Sequence, residues 1–184
     1  MKLPIYVYGS SVLRKEAQPI TPDYPGLEQL IKDMWETLYH ADGVGLAAPQ
    51  VGLSIQLIVL DGSDLNDTYP ELDGFKHVLI NPRILEESTE TCVFSEGCLS
   101  LPKVNADIER PKRIKMAYLN EQFQPVEEWF DGFGCRIVQH EYSHLLGELF
   151  IDRAPAIRKK MLESKLQAIA KGNGRADYKT KLVK

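Results

Sequence analysis

The chain has 184 residues, of which 43% are hydrophobic and 26% charged, with a formal net charge of -4. That length suits one compact domain with enough core to need no disulfide scaffold, and the apolar share excludes wholesale disorder and low-complexity fibres. Taken alone, the mild negative charge argues against a nucleic-acid partner.

No apolar run approaches the ~20 residues of a membrane span. The opening MKLPIYVYGS lacks the long apolar stretch of a secretory signal. Cys92, Cys98 and Cys135 are an odd set in a mid-sized chain, which points to a reducing, cytoplasmic setting where a cysteine is core, ligand or nucleophile.

In chain order, Leu27, Leu30, Ile31, Met34, Trp35 and Leu38 recur at the spacing of one helical face. They predict a helix over Leu27–Ala41, ended by Asp42-Gly43. Ile55–Leu60 reads as a buried strand, and the acidic stretch Asp61–Gly74 as a solvated loop. His77–Ile80 and Glu90–Phe94 suit further short strands. Arg113–Leu119 alternates Ile114, Met116 and Tyr118 inward, with Val126–Phe130 as its expected partner. Asp131 is placed to cap a helix running to about Leu146, with Gly147 as its left-handed stop. A last helix over Ala156–Ala170 sets Ile157, Met161, Leu162, Leu166 and Ile169 against a lysine-rich side. Without regular βαβ alternation, this order predicts an α+β fold: short, mostly antiparallel strands around a central helix, plus a C-terminal helix.

The chemistry concentrates on the central helix, at His140-Glu141-Tyr142-Ser143-His144. Residues i and i+4 lie about 40° apart around a helix axis, so both imidazoles can share a cation, with the Glu beside them to take a proton from water. Two histidines leave a third ligand to find. A metzincin protease would carry a third His at position 150, which is Phe150 here, and the carboxylates Glu148 and Glu163 are poorly placed for a gluzincin. Cys98, in Glu96-Gly97-Cys98-Leu99-Ser100, is the better candidate, since one thiolate and two imidazoles hold a divalent metal and leave a position open. Cys92, Cys135, His40 and His77 read as ordinary structural residues. A third cluster, Gly43-Val44-Gly45-Leu46-Ala47-Ala48-Pro49-Gln50, suits either tight packing or a loop whose backbone approaches a substrate, with Gln50 as an amide donor.

Together, Gly43–Gln50, Glu96–Ser100 and Gln139–His144 resemble the three ordered motifs of the peptide deformylase family: GxGxAAxQ, EGCLS and QHExxH. The resemblance spans roughly Leu3 to Leu166. One position departs from it: Ser143 stands where the family commonly carries Asp, a group placed to pair with an arginine matching Arg110. The resemblance implies hydrolysis of the formyl group from N-formylmethionyl nascent peptides, releasing formate. It implies a metal on Cys98, His140 and His144, Fe2+ first and Zn2+, Ni2+ or Co2+ as alternatives. Glu141 is then the proton acceptor, and the Gln50 amide and Leu99 N–H are the donors to the developing oxyanion. Gly45 is expected to hydrogen-bond the peptide, and Val44, Phe133 and Ile137 to wall the methionine pocket, although each also suits the core.

Two other readings compete. A metallopeptidase would share the helix chemistry without needing Cys98. An RNA-associated module would hold its metal structurally through four protein ligands, and no fourth has convincing spacing. The net charge conceals a division: nine Lys/Arg against Glu163 and Asp177 leave +7 on 155–184, whereas 13 basic and 24 acidic residues leave -11 on 1–154. The expectation is a catalytic body over 1–154 and a basic helix and tail of the same domain over 155–184. That end is either solvated or in contact with the ribosome.

Overall fold

A computed structural model describes Met1–Lys184. Nine strands and three α-helices follow in the order β1 (Ile5–Tyr6), α1 (Leu27–His40), β2 (Gly45–Ala47), β3 (Leu57–Asp61), β4 (Lys76–Glu87), β5 (Thr91–Cys98), β6 (Leu101–Pro111), β7 (Ile114–Leu119), β8 (Pro125–Phe130), α2 (Gly132–Leu145), α3 (Ala156–Ala170) and β9 (Thr180–Lys181). An antiparallel five-stranded sheet runs β2-β3-β4-β7-β8, β5 and β6 form a separate antiparallel ribbon, and β1 pairs with β9 in parallel. This is the expected α+β arrangement.

The sheet lies between two helices, which explains why β3 is apolar throughout. Leu57 and Val59 face Ile31, Met34 and Leu38 of α1, while Ile58 and Leu60 face Ile137, Val138 and Leu145 of α2. A strand covered on both faces has no polar side to show. A third core joins the inner face of β6 (Val104, Ala106, Ile108) to Phe150, Ile151 and the Leu162, Leu166 and Ile169 stripe of α3. No helix is long and apolar enough to cross a membrane.

β4 and β5 outrun their expected spans, reaching Glu87 and Cys98, and β6 has no counterpart among them. β4 continues past Ile80 because Asn81 takes a left-handed conformation (φ 50°) and the ladder shifts register beyond it, which accommodates Pro82. Asn81 is held there by donating to the Ile20 carbonyl and accepting from its N–H. β6 is not anticipated at all. Its inner face alternates Val104, Ala106 and Ile108 with polar residues but ends on the buried Arg110, where a charge in sequence reads as surface.

Three further expectations change. Asp61–Gly74 is not simply a solvated loop: Leu72 is fully buried, Tyr69 stacks on Phe133 at 4.3 Å, and Glu71 accepts the Phe133 N–H at the start of α2. On α3, Ile157 and Met161 are exposed, because only Leu162, Leu166 and Ile169 reach the core. The chain end folds back, with β9 lying on β1. By contrast, Asp131 does cap α2, and Gly147 (φ 74°) does turn the chain after it.

Candidate active site

α2 passes through the middle of the molecule, with 11 of its 14 residues buried. At that depth a polar side chain needs a partner or a purpose. The ribbon β5–β6 lies across the helix and delivers both: Glu96 and Cys98 from β5, Arg110 from β6.

His140 Nδ1 is 2.7 Å from Glu96 Oε1. The same carboxylate accepts from Arg110 Nε at 2.7 Å and from Arg136 Nη1 at 2.6 Å, all three residues being buried. Burial alone would raise the Glu96 carboxyl, but hydrogen bonds from His140 and Arg110 outweigh it and hold the group ionised well below its ordinary value. Fixing His140 Nδ1 on a carboxylate turns Nε2 toward the interior and makes it a better donor to a metal. Where an acid would have paired with Arg110, Ser143 Oγ instead accepts from Arg110 Nη1 at 3.0 Å and donates to the Gln139 carbonyl.

One donor atom from each of Cys98, His140 and His144 falls within 4.8 Å of the others, and Cys98 Sγ lies 3.4 Å from His144 Nε2. The donor chemistry suits a borderline divalent cation, and three ligands leave a position for water or substrate. His144 Nδ1 and Glu141 Oε2 are buried without partners, as expected of a site shaped around something more than protein. Burial, then His140, push His144 well below the usual range, so its ring is the neutral, ligating form. Burial opposes charge on His140 too, yet hydrogen bonds to Cys98 and Glu96 raise it to about 10, a proton that a cation displaces.

Glu141 follows His140 and lies 3.9 Å from its Nε2. Burial pushes its carboxyl up to about 7, where it can both take and return a proton near neutrality. Space for it comes from Gly45 on the sheet-edge strand β2: a Cβ there would sit 2.7 Å from Glu141 Cγ. Beside the approach to a peptide expected of it, that glycine gives clearance to the acid.

A cavity of about 410 Å³ opens over these groups. It is lined by Val44, Gly45, Cys98, Leu99, Phe133, Ile137, His140 and Glu141, so eight of the ten sequence-selected residues meet there. His144 and Gln50 lie behind the wall. The Gln50 amide spans the motifs, its Oε1 accepting from the Ala47 N–H and its Nε2 donating to Ser100 Oγ at 3.1 Å, 3.5 Å from Cys98 Sγ. The Leu99 N–H donates to no protein acceptor.

Sequence reasoning gave no role to Glu96 and Arg136, or to Tyr178, which joins the cavity wall from the chain end. A charged Glu beside Cys98 and an Arg one turn before His140 were the available signals for the first two; nothing in the local sequence marks Tyr178. Cys135 is core, as expected, and His40 is exposed.

Residues 2–160 match the family model described as polypeptide deformylase. The peptide deformylase of Flavobacterium psychrophilum is 46% identical over 100% of this chain and 98% of its own length, and that of Thermotoga petrophila is 46% identical over 91% and 96%. Among solved structures, the Thermotoga maritima enzyme superposes with a TM-score of 0.76 at 45% identity, covering 84% of this chain and 99% of its own. A Plasmodium falciparum peptide deformylase gives 0.82 at 32% identity over 91% and 95%. With its three motifs gathered around one cavity and its whole length matched, the chain belongs to the polypeptide deformylase family, metal-dependent hydrolases that remove the formyl group from nascent peptides.

Proposed function

We propose that Cys98, His140 and His144 hold an Fe2+ ion, with Zn2+, Ni2+ and Co2+ as alternative occupants, and that Glu141 is the acid–base group of the reaction. The observation that carries this reading is the Glu141 carboxyl, its Oε2 buried without a partner beside three convergent donors, at the wall of the cavity that Cys98 and His140 also line. A divalent cation there supplies Lewis acidity, polarising the formyl carbonyl and easing deprotonation of water.

The residues of the chain do the rest. Glu141 accepts a proton from the attacking water and returns it to the leaving amine, a two-way task suited to a group whose pKa lies near 7. The free Leu99 N–H stabilises the oxyanion, a donor of this kind being worth ~3 kcal/mol, and the Gln50 amide is the second donor, reaching it by giving up its contact with Cys98 Sγ. Gly45 holds the peptide backbone, and Val44, Phe133 and Ile137 wall the methionine side chain. Phe133 is braced for this by Tyr69 and by an edge contact with Phe94.

Residues 1–154 form the catalytic body and 155–184 the basic end of the same domain, acting in the cytoplasm. The exposed lysines of α3 touch ribosomal RNA. Lys159, Lys160 and Lys165 are exposed and make no ion pair, which leaves their charge free for a polyanion.

The deciding experiment is formate release from formyl-Met-Ala-Ser by anaerobically purified protein. Steady release is expected, and none above blank with metal bound overturns the reading. Iron as the native metal predicts faster loss of activity in air than under nitrogen; equal retention in both, with iron confirmed in the protein, overturns that assignment.

A further inference from the structure

The two residues joining β5 to β6, Leu99 and Ser100, follow directly on the ligand Cys98, and the ladder shifts register there. A short irregular connection has few internal hydrogen bonds to hold its shape, so its polar groups must be anchored from outside. The Ser100 carbonyl accepts from the Tyr8 N–H at 2.8 Å, and Ser100 Oγ accepts from Gln50. The Leu99 carbonyl accepts from the Tyr178 hydroxyl at 2.7 Å, across 79 residues of sequence. Tyr178 is also the one residue of the chain end that lines the cavity.

The tail that carries Tyr178 is fastened on its far side. Its Lys179 and Lys181 carbonyls accept from the N–H groups of Ile5 and Val7. The Val183 carbonyl accepts from the Ser11 N–H, and the Val183 N–H donates to Ser10 Oγ. Leu182 packs into the core shared by β6 and α3. The hydroxyl therefore approaches Leu99 from a tethered strap. Burial raises the Tyr178 hydroxyl above its ordinary value, so it remains a donor throughout the working pH range.

From this geometry we infer that Tyr178 is a positioning residue for deformylation: the strap fixes the Leu99–Ser100 peptide through its carbonyl and, with Cys98 held in β5, restricts the Leu99 φ and ψ that aim the Leu99 N–H at the oxyanion. The inference rests on the role given to Leu99 above. It gives the last ten residues a part in the site, through Tyr178 alone at the cavity wall. They are not a detachable basic tail.

Tyr178→Phe keeps the ring and the packing and removes only the donor, and Tyr178→Ala removes both. Losing one hydrogen bond of this kind lowers kcat on formyl-Met-Ala-Ser by about 2- to 10-fold. KM, metal content and Tm are expected to stay near wild type in Tyr178→Phe. In zinc-loaded protein, the 15N order parameter of the Leu99 amide falls in Tyr178→Phe from the rigid range of about 0.85 toward 0.6. A kcat for Tyr178→Phe within twofold of wild type overturns the inference, as does Phe restoring full kcat relative to Ala, since packing alone then suffices. If wild-type protein releases no formate, the functional reading fails by itself. The Leu99 order parameter then still decides whether the strap holds this segment, an unchanged value overturning it.

Discussion

α2 and α3 are nearly the same length, 14 and 15 residues, yet 11 residues of the first are buried and only three of the second. α2 buries Arg136, Gln139, His140, Glu141, Ser143 and His144, whereas every charged residue of α3 keeps contact with water. Solvating α3 requires nothing special, but burying a row of charges costs several kcal/mol each unless partners are built around them. The polar face of α2 is tolerated because β5 and β6 bring Glu96 and Arg110 to it, and of its three atoms buried without a partner, Arg136 Nε, Glu141 Oε2 and His144 Nδ1, two belong to the residues that carry the chemistry. Between these two helices, buried polarity marks function and exposed polarity marks surface.

The sharpest test of that contrast is on α2. Cys98→Ala is expected to abolish stoichiometric metal binding, measured by elemental analysis, whereas a metallopeptidase would tolerate it. Glu141→Gln is expected to retain metal while formate release falls by roughly 10²- to 10⁴-fold, the usual range for losing a positioned acid–base group. Full activity in Glu141→Gln would remove the carboxylate from the mechanism.

Next in size is the carboxylate that makes the helix tolerable. Glu96→Gln leaves Arg110 and Arg136 buried without a counter-charge and is expected to cost about 3–5 kcal/mol. That lowers Tm by ~10 °C in a chain of this size. The sign of the pH dependence follows: Glu96 ionises more readily folded than at its ordinary value of 4.5, so its stabilisation is complete above that value and is lost as pH falls. Thermal melts from pH 7 to pH 3 should therefore show the wild type approaching Glu96→Gln as acid is added. Parallel curves would show that Glu96 is not the linked group.

α3 answers differently. Leu166→Ala opens the core under β6 and is expected to cost about 2–4 kcal/mol in urea unfolding. Ile157→Ser, at a residue 74% exposed, is expected within about 0.5 kcal/mol of wild type.

Periodicity failed on that helix for a physical reason. Five apolar residues at helical spacing imply one stripe, but a single ribbon can cover only a narrow one, and Ile157 and Met161 fall outside it. The two histidine donors were legible because ligand spacing on a helix is a local property, Cys98 because no other third ligand suited them, and the cavity gathers residues of all three motifs as expected. Glu96 and Arg136 had charge as their only signal, and charge usually means surface. β6 was lost because Ala106 and Arg110 weaken its inner face, and the Tyr178 contact because no local pattern encodes a hydrogen bond across 79 residues. The chain's own chemistry is readable in short stretches, while its long-range bracing appears only in the fold.

The same burial pattern decides how the ribosome contact must be tested. Deleting residues 155–184 removes Leu162, Leu166 and Ile169 from the core, so lost cosedimentation would report unfolding as readily as lost contact. The charge itself can be reversed without touching that stripe, because Lys159, Lys160 and Lys165 are exposed. Changing all three to Glu takes residues 155–184 from +7 to +1 and is expected to move stability by no more than about 0.5 kcal/mol per site. Formate release from a free peptide should be unchanged, since none of the three lines the cavity. If α3 meets ribosomal RNA, cosedimentation at low salt weakens in the triple variant, and the salt dependence of binding flattens as phosphate contacts are lost. Unchanged cosedimentation and slope would leave the lysines as solvation for a helix that packs by one narrow stripe.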